Sequence, residues 1–480
     1  MAKKYFLSLF IGMVAFLWIM SQAFAQTPVA QMQKRIDDLE KQVNELKLML
    51  QEQQKARAAE KARVDKVEQK VEQSEKTKVA SSSGAGTVSS IISEFKFKPY
   101  GFIKLDSSYD DSKIYPSSGN FSLYVPSELS SDKDRTSHND NNFSMTGRQT
   151  QVGLYILAPE TYAWVAKGRI EIDFYGDGTQ HENKADPLLR QAYVELTRGK
   201  FGIIAGQTND LISPLTPSTL NYTVGWAAGN IGYRRPQLRF TYTHPINEKN
   251  KLIGAFAIAR TTGTINEDYD IDSKTDGEDV GYPTMQARLA YATKKLFCTG
   301  KESIFGISGH YGKEEIDFGA IDPTRHQKRL KSWSLNGDIE VPLTTRLSFK
   351  GEGFVGENLD DYFGGILQGV NGMTKTVAGS LVPSDPEHYT SIIKSRGGWA
   401  QLTYQYNKWK YNTGAGIDDP RNKQLSTGMR ARNTFYFGNF YYNLIPPVNL
   451  CLEYSHWETD YINKHDGKNN RIQTSVIYSW

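Results

Sequence analysis

The run Tyr233-Arg234-Arg235-Pro236-Gln237-Leu238-Arg239 brings three guanidinium groups within six residues. Guanidinium stays charged at neutral pH and presents a planar fork of donors, which suits reversible capture of carboxylate or phosphate oxygens. The same arginines could instead pair with carboxylates and serve only to hold the fold, and the sequence leaves both readings open. Other motifs resolve against chemistry. Gly351-Glu-Gly-Phe-Val-Gly356 has the letters of a dinucleotide fingerprint but sits inside an alternating strand pattern with no helix after it. Asp268-Tyr-Asp270-Ile-Asp272 begins like a calcium loop, with Ser273 where the turn glycine belongs and Asp279 in place of the closing Glu. A solvated loop is the better reading. The histidines lack metal-ligand spacing, no nucleophile elbow is present, and Cys298 and Cys451 make neither a disulfide framework nor a cysteine-rich zinc site. Catalysis, a metal and a cofactor are therefore not expected.

For the arginines to meet a solute they must face a water-filled space, and the surrounding pattern supplies one. From Phe95 onward polarity alternates with period two. Trp333, Leu335, Gly337, Ile339 and Val341 share one side of a strand, with Ser334, Asn336, Asp338 and Glu340 on the other. The final segment places Ile472, Val476, Tyr478 and Trp480 opposite Arg471, Gln473, Ser475 and Ser479. Sixteen such segments occur, near 99–109, 146–157, 162–175, 188–197, 200–207, 237–244, 251–260, 284–293, 303–311, 331–342, 345–356, 397–407, 409–418, 434–444, 448–458 and 470–480. Those between 188 and 207 separate polar from apolar residues poorly.

The gaps between segments alternate long and short, as outer loops and periplasmic turns do in a transmembrane β-barrel. A soluble Greek-key sandwich predicts no such asymmetry. The expectation is thus an all-β chain, a 16-stranded antiparallel transmembrane barrel wide enough to enclose an aqueous lumen. The third long gap, about Thr208 to Pro236, is the natural constriction, and the arginines stand at its end. Strand parity assigns Lys104, Lys167, Arg169, Arg288, Arg346 and Lys350 to the lumen, against Asp106, Glu171, Asp173, Asp338, Glu340, Glu352 and Glu453. The two sets nearly balance, so charge counting alone does not fix ion preference.

Composition agrees with a barrel. Hydrophobic residues make up 39% and mean hydropathy is −0.53, which looks water-soluble, yet only alternate residues of a barrel strand need face lipid. Aromatic content of 12%, with Tyr 27 and Phe 22, suits girdles at both membrane interfaces. The net charge of +4 on 480 residues predicts neither a nucleic-acid partner nor the sign of any solute.

Residues 1–25 read as a secretory signal: Lys3 and Lys4, an apolar run to Met20, and Ala23-Phe24-Ala25 as cleavage site. Residues 26–80 then carry a heptad seam through Ile36, Leu39, Val43, Leu46 and Leu50, a polar middle, and Val64, Val67 and Val71. Such a seam predicts a coiled-coil arm in the periplasm; β-branched and Leu positions by themselves favour two strands, and the polar middle leaves the number open. Residues 81–94, with SSSGAGTVSS, form a flexible linker before the barrel at 95–480.

In order and kind these parts resemble the DcaP-like family of outer-membrane porins. The resemblance rests on the arm and linker, Tyr100-Gly-Phe-Ile-Lys-Leu-Asp106, Tyr124-Val-Pro-Ser127, Gly168-Arg-Ile-Glu-Ile-Asp-Phe-Tyr-Gly176, Tyr233-Arg-Arg-Pro-Gln237 and Gly398-Trp-Ala-Gln-Leu402. It implies a homotrimer of sixteen-stranded barrels in the Gram-negative outer membrane, taking up small anionic solutes such as dicarboxylates. Its implied surroundings are outer-membrane lipid and lipopolysaccharide, with the terminal aromatic, here Trp480, read by the barrel-assembly machinery. Alternatives remain an unselective or phosphate-type porin and, in another class, a structural tether or adhesin. Against the last, residues 26–94 show only heptads and linker, without a wall-binding module or passenger.

Overall fold

The computed structural model describes residues 95–480 apart from segments 117–119, 128–140, 160–162, 177–184, 262–279, 318–326, 372–373, 378–379 and 384–390. The signal, the heptad seam, the linker and the Asp268–Asp272 run lie outside the described residues.

Sixteen strands follow in order, all antiparallel: β1 (Lys96–Asp110), β2 in two pieces (Asn142–Thr146 and Gln151–Leu157), β3 (Val165–Asp173), β4 (Leu188–Arg198), β5 (Phe201–Asn209), β6 (Arg234–Asn247), β7 (Asn250–Ala259), β8 (Thr284–Thr293), β9 (Ser303–Asp317), β10 (Gln327–Pro342), β11 (Leu347–Glu357), β12 (Lys394–Tyr406), β13 (Trp409–Pro420), β14 (Arg430–Ile445), β15 (Val448–Tyr461) and β16 (Gly467–Ser479). Each pairs with its chain neighbours. The sheet closes because Phe102–Asp110 of β1 runs against Ser479–Arg471 of β16 while its other edge pairs with β2. At the seam the Trp480 N–H donates to Gly101 O at 3.1 Å. All sixteen expected segments are present, including the pair between 188 and 207.

The alternation has the sense a bilayer demands. On β16, Ile472 and Val476 point outward at 50% and 46% exposure, whereas inward Gln473 and Ser475 are sealed. Leu289, Ile307 and Leu335 are likewise exposed on the outer wall, and Asp106, Asn433 and Glu453 are buried within. Apolar side chains outside and polar ones inside would be ruinous in water and are required in lipid, where closure also satisfies every strand edge. Among the described residues no helix is long and apolar enough to cross a membrane; the strands cross instead.

Two irregularities re-aim side chains. In β2 the Gly147–Thr150 interruption turns on itself, with Thr150 N donating to Gly147 O at 2.9 Å, and buries Arg148 with its guanidinium 4.6 Å from the Tyr175 ring centre. Between β3 and β4, Glu171 pairs with Gln191 but Ile172 pairs with Leu189, leaving Arg190 as the extra residue of a bulge. A bulge resets the side to which following residues point. Leu189 consequently faces outward at 44% exposure and Arg190 turns into the barrel.

Candidate constriction and lumen site

The loop between β5 and β6, residues 210–233, does not stand out in solvent. It folds into the barrel and hangs from side chains of the inner wall. Leu211 N donates to Gln286 Oε1 on β8 at 2.6 Å, and Leu215 N to Glu352 Oε1 on β11 at 2.7 Å. Ser213 also bonds Glu352. Further along, Ser218 N donates to Gln401 Oε1 on β12 at 2.6 Å. Thr219 Oγ1 and Leu220 N both donate to Glu453 on β15, at 2.6 and 2.7 Å. Carbonyls are held by cations and amides: Thr216 O by Lys350 Nζ at 2.6 Å, Ser218 O by Asn439 Nδ2 at 2.7 Å, and Leu220 O by Lys104 Nζ at 3.0 Å. A loop without a ladder of its own must find partners for its backbone groups, and here lumen side chains supply them.

The returning arm packs as tightly. Gly229, at φ +111°, passes the wall so closely that a Cβ there would stand 2.2 Å from Gly398 O. Trp226 stacks on Phe363 of the β11–β12 loop with ring centres 4.4 Å apart, and Gly232 N donates to Tyr362 O at 2.7 Å. Near the middle of the loop Tyr222 donates its hydroxyl to Asp173 Oδ2 at 2.8 Å. Burial pushes the Tyr222 pKa up, so the hydroxyl keeps its proton and the bond.

The three arginines of the sequence motif are separated in role. Arg235 is 2% exposed, ion-paired with Asp210 at 2.9 Å, and centred 4.0 Å from the Tyr362 ring. It clamps the base of the inward loop to the β11–β12 loop. Arg234 is also buried, stacked 4.7 Å from the Tyr233 ring centre. Arg239 faces the lumen and bonds Gln237 at 3.0 Å and the Asn209 carbonyl. The pairing alternative therefore describes Arg235, and the three do not form one station.

The remaining candidates line β3, β8 and β11. Lys167 pairs with Glu195 at 2.9 Å, Arg169 with Glu171 at 2.5 Å, and Arg288 forks onto Asp338 at 3.1 and 2.6 Å. Arg169 also donates to Tyr100 Oη at 2.7 Å, and Tyr100 donates to Glu171 at 2.7 Å. The Tyr100 ring lies across Gly153, where a Cβ would be 2.2 Å from it, and stacks on Tyr155 at 4.6 Å. One placement is corrected: Arg346 is not a lumen-wall residue. β11 begins at Leu347, so Arg346 sits exposed in turn 343–346, 4.6 Å from the Tyr406 ring centre. The turn consumed the residues that strand parity had assigned to the ladder.

Two lumen cations escaped the sequence. Arg190 bonds Glu171 Oε1 at 3.0 Å and Asp173 Oδ2 at 2.5 Å, but unbroken parity puts it on the lipid side with Val194 and Leu196. Only the awkward Leu188-Leu189-Arg190-Gln191 run hinted at a bulge. Lys410 on β13 follows simple parity and could have been found; it lies 5.6 Å from the Tyr441 ring centre.

In these ion pairs the two partners are not equally open to water. Arg169 and Arg190 are 24% and 23% exposed, while their partners Glu171 and Asp173 are 3% and 1%. Arg288 is 15% exposed against 2% for Asp338. Lys350, Lys410 and Arg239 have no ion pair within 4.0 Å among the described residues. Glu352 and Glu453 are spent on loop N–H groups. Lys167 with Glu195 is nearly even, and exposed Glu340 stands opposite Lys350 in the strand register. A near-neutral inventory thus shows the lumen mostly its positive partners.

A closed sixteen-stranded barrel, apolar outside, polar inside and narrowed by its third long loop, defines an outer-membrane channel of the porin class. The chain belongs to the DcaP outer membrane protein family, whose model matches residues 29–268. The crystal structure of the outer membrane channel DcaP of Acinetobacter baumannii has the same fold, with 15% identity, a TM-score of 0.58, and coverage of 81% of this chain and 98% of that one. An anion-selective porin from Comamonas acidovorans aligns at 10% identity and a TM-score of 0.49 over 81% of this chain and 100% of that one. No curated protein matches.

Proposed function

We propose that this protein is a passive diffusion channel for small hydrophilic solutes and favours anions such as dicarboxylates. It has no catalytic role; a concentration gradient drives the flux, and the inward loop sets the passage. The observation that carries the preference is the unequal exposure of the lumen ion pairs, in which Arg169, Arg190 and Arg288 meet water while Glu171, Asp173 and Asp338 do not. A passing carboxylate sees the nearer and less screened charge. The heptad arm in the periplasm assembles three copies, and the outward Trp480 presents the assembly signal.

The deciding measurement is the reversal potential across planar bilayers under a salt gradient. The expected sign is that of an anion-preferring channel, diminishing in Arg190→Gln and Lys350→Gln. A cation-preferring unmutated channel overturns the anion preference, and absence of conductance from folded protein overturns the channel.

A further inference from the structure

We propose that the outer wall spanning β4 to β7 binds an anionic phospholipid of the periplasmic leaflet. A groove of about 1020 Å³ lies there; Phe201, Phe240, Tyr242 and Phe256 of its lining are exposed on the outer wall, and Arg288 also borders it. Its periplasmic end carries Arg198, the last residue of β4, and Lys200 in the short turn between β4 and β5. Arg198 lies 5.8 Å from the ring centre of Trp164, a residue type that favours the headgroup level. Neither cation has a carboxylate within 4.0 Å among the described residues.

Away from the turn the lining becomes apolar. Phe201 packs on Tyr242 with ring centres 4.8 Å apart, and Phe240 pairs across the strands with Phe256. Between these walls Gly254 forms the floor: it stands opposite Tyr242 in the register, and a Cβ built on it meets nothing within 4 Å. Along one axis the groove therefore runs from two free cations through an indole to a bare, aromatic-walled trough. That is the polarity of a phospholipid, phosphate first and acyl chain after. The short turns of such barrels face the periplasm, so the available lipid is the phospholipid of the inner leaflet rather than lipopolysaccharide. The site depends on the barrel spanning the outer membrane and is independent of ion preference in the lumen.

The experiment reads lipid retained by the full-length folded protein after reconstitution in phosphatidylethanolamine vesicles containing phosphatidylglycerol, re-extraction and native mass spectrometry. Arg198→Gln combined with Lys200→Gln is expected to weaken phosphatidylglycerol retention about 30-fold. Gly254→Leu fills open space, so the barrel stays folded while the bound lipid is lost. Lys249→Gln, in the neighbouring turn, leaves retention unchanged. Retention equal to the unmutated protein in both groove variants overturns the proposal. So does loss of lipid accompanied by dissociation of the assembly, which makes the groove a contact between copies.

Discussion

Glu453 holds the middle of the inward loop with both carboxylate oxygens, one taking Thr219 Oγ1 at 2.6 Å and the other Leu220 N at 2.7 Å. Leu220 O is in turn bound by Lys104 Nζ, Asn120 Nδ2 and Gln473 Nε2. The loop is thus fixed at the point farthest from its own ends. A hydrogen bond to a charged acceptor contributes roughly 1.5–3 kcal/mol. Glu453→Ala should release the loop without unfolding the barrel. Single-channel recordings should show larger and noisier conductance, and a trace identical to the unmutated channel refutes this tether.

Arg190 is expected to govern ion preference more than its partners do. Arg190→Gln exposes Glu171 and Asp173 to the lumen without one of their cations. One unit charge about 4 Å from a passing ion is worth ~1 kcal/mol in water, a several-fold change in the anion-to-cation permeability ratio. The reversal potential should move toward cations; a shift no larger than that of Arg346→Gln, in its exposed turn, counts against the assignment.

Arg235 should behave in the opposite way. It is sealed between Asp210 and Tyr362, and removing one partner of a buried pair costs about 3–5 kcal/mol. Arg235→Met should lower the temperature at which the folded barrel loses its compact gel mobility. Its reversal potential should stay near that of the unmutated channel. A stable variant with altered selectivity reverses the assignment.

Gly153→Ala tests the tyrosine wall. The new methyl group would overlap Tyr100 Cζ at 2.2 Å, so the ring must leave and release Arg169 and Glu171. Overpacking of this kind costs about 1–3 kcal/mol. The double variant Gly153→Ala with Tyr100→Ala should recover most of the lost thermal stability. Additive losses would show that the clash lies elsewhere.

The sequence alone determined the barrel. Period-two alternation such as Trp333 to Val341, the alternating gaps and the aromatic end are local signals, written wherever a strand has one face in lipid and one in water. The strand count follows from that periodicity, and the tertiary structure agrees with it; the same parity puts Lys167, Arg169, Glu171, Asp173, Arg288 and Lys350 among the candidate lumen residues. Parity fails where the backbone breaks step. It missed Arg190, because a bulge adds one residue and flips the side, and it misplaced Arg346, because the turn runs two residues further than the pattern implied, so that β11 begins at Leu347.

What only the tertiary structure decided is which charges a solute can meet. The near balance of lumen acids and bases is a property of composition. Exposure depends on a loop that spends Glu352 and Glu453 on its own N–H groups, contacts more than a hundred residues distant in the chain. No local pattern encodes them, since each half of such a bond is an ordinary polar residue until the barrel closes and places the other half beside it.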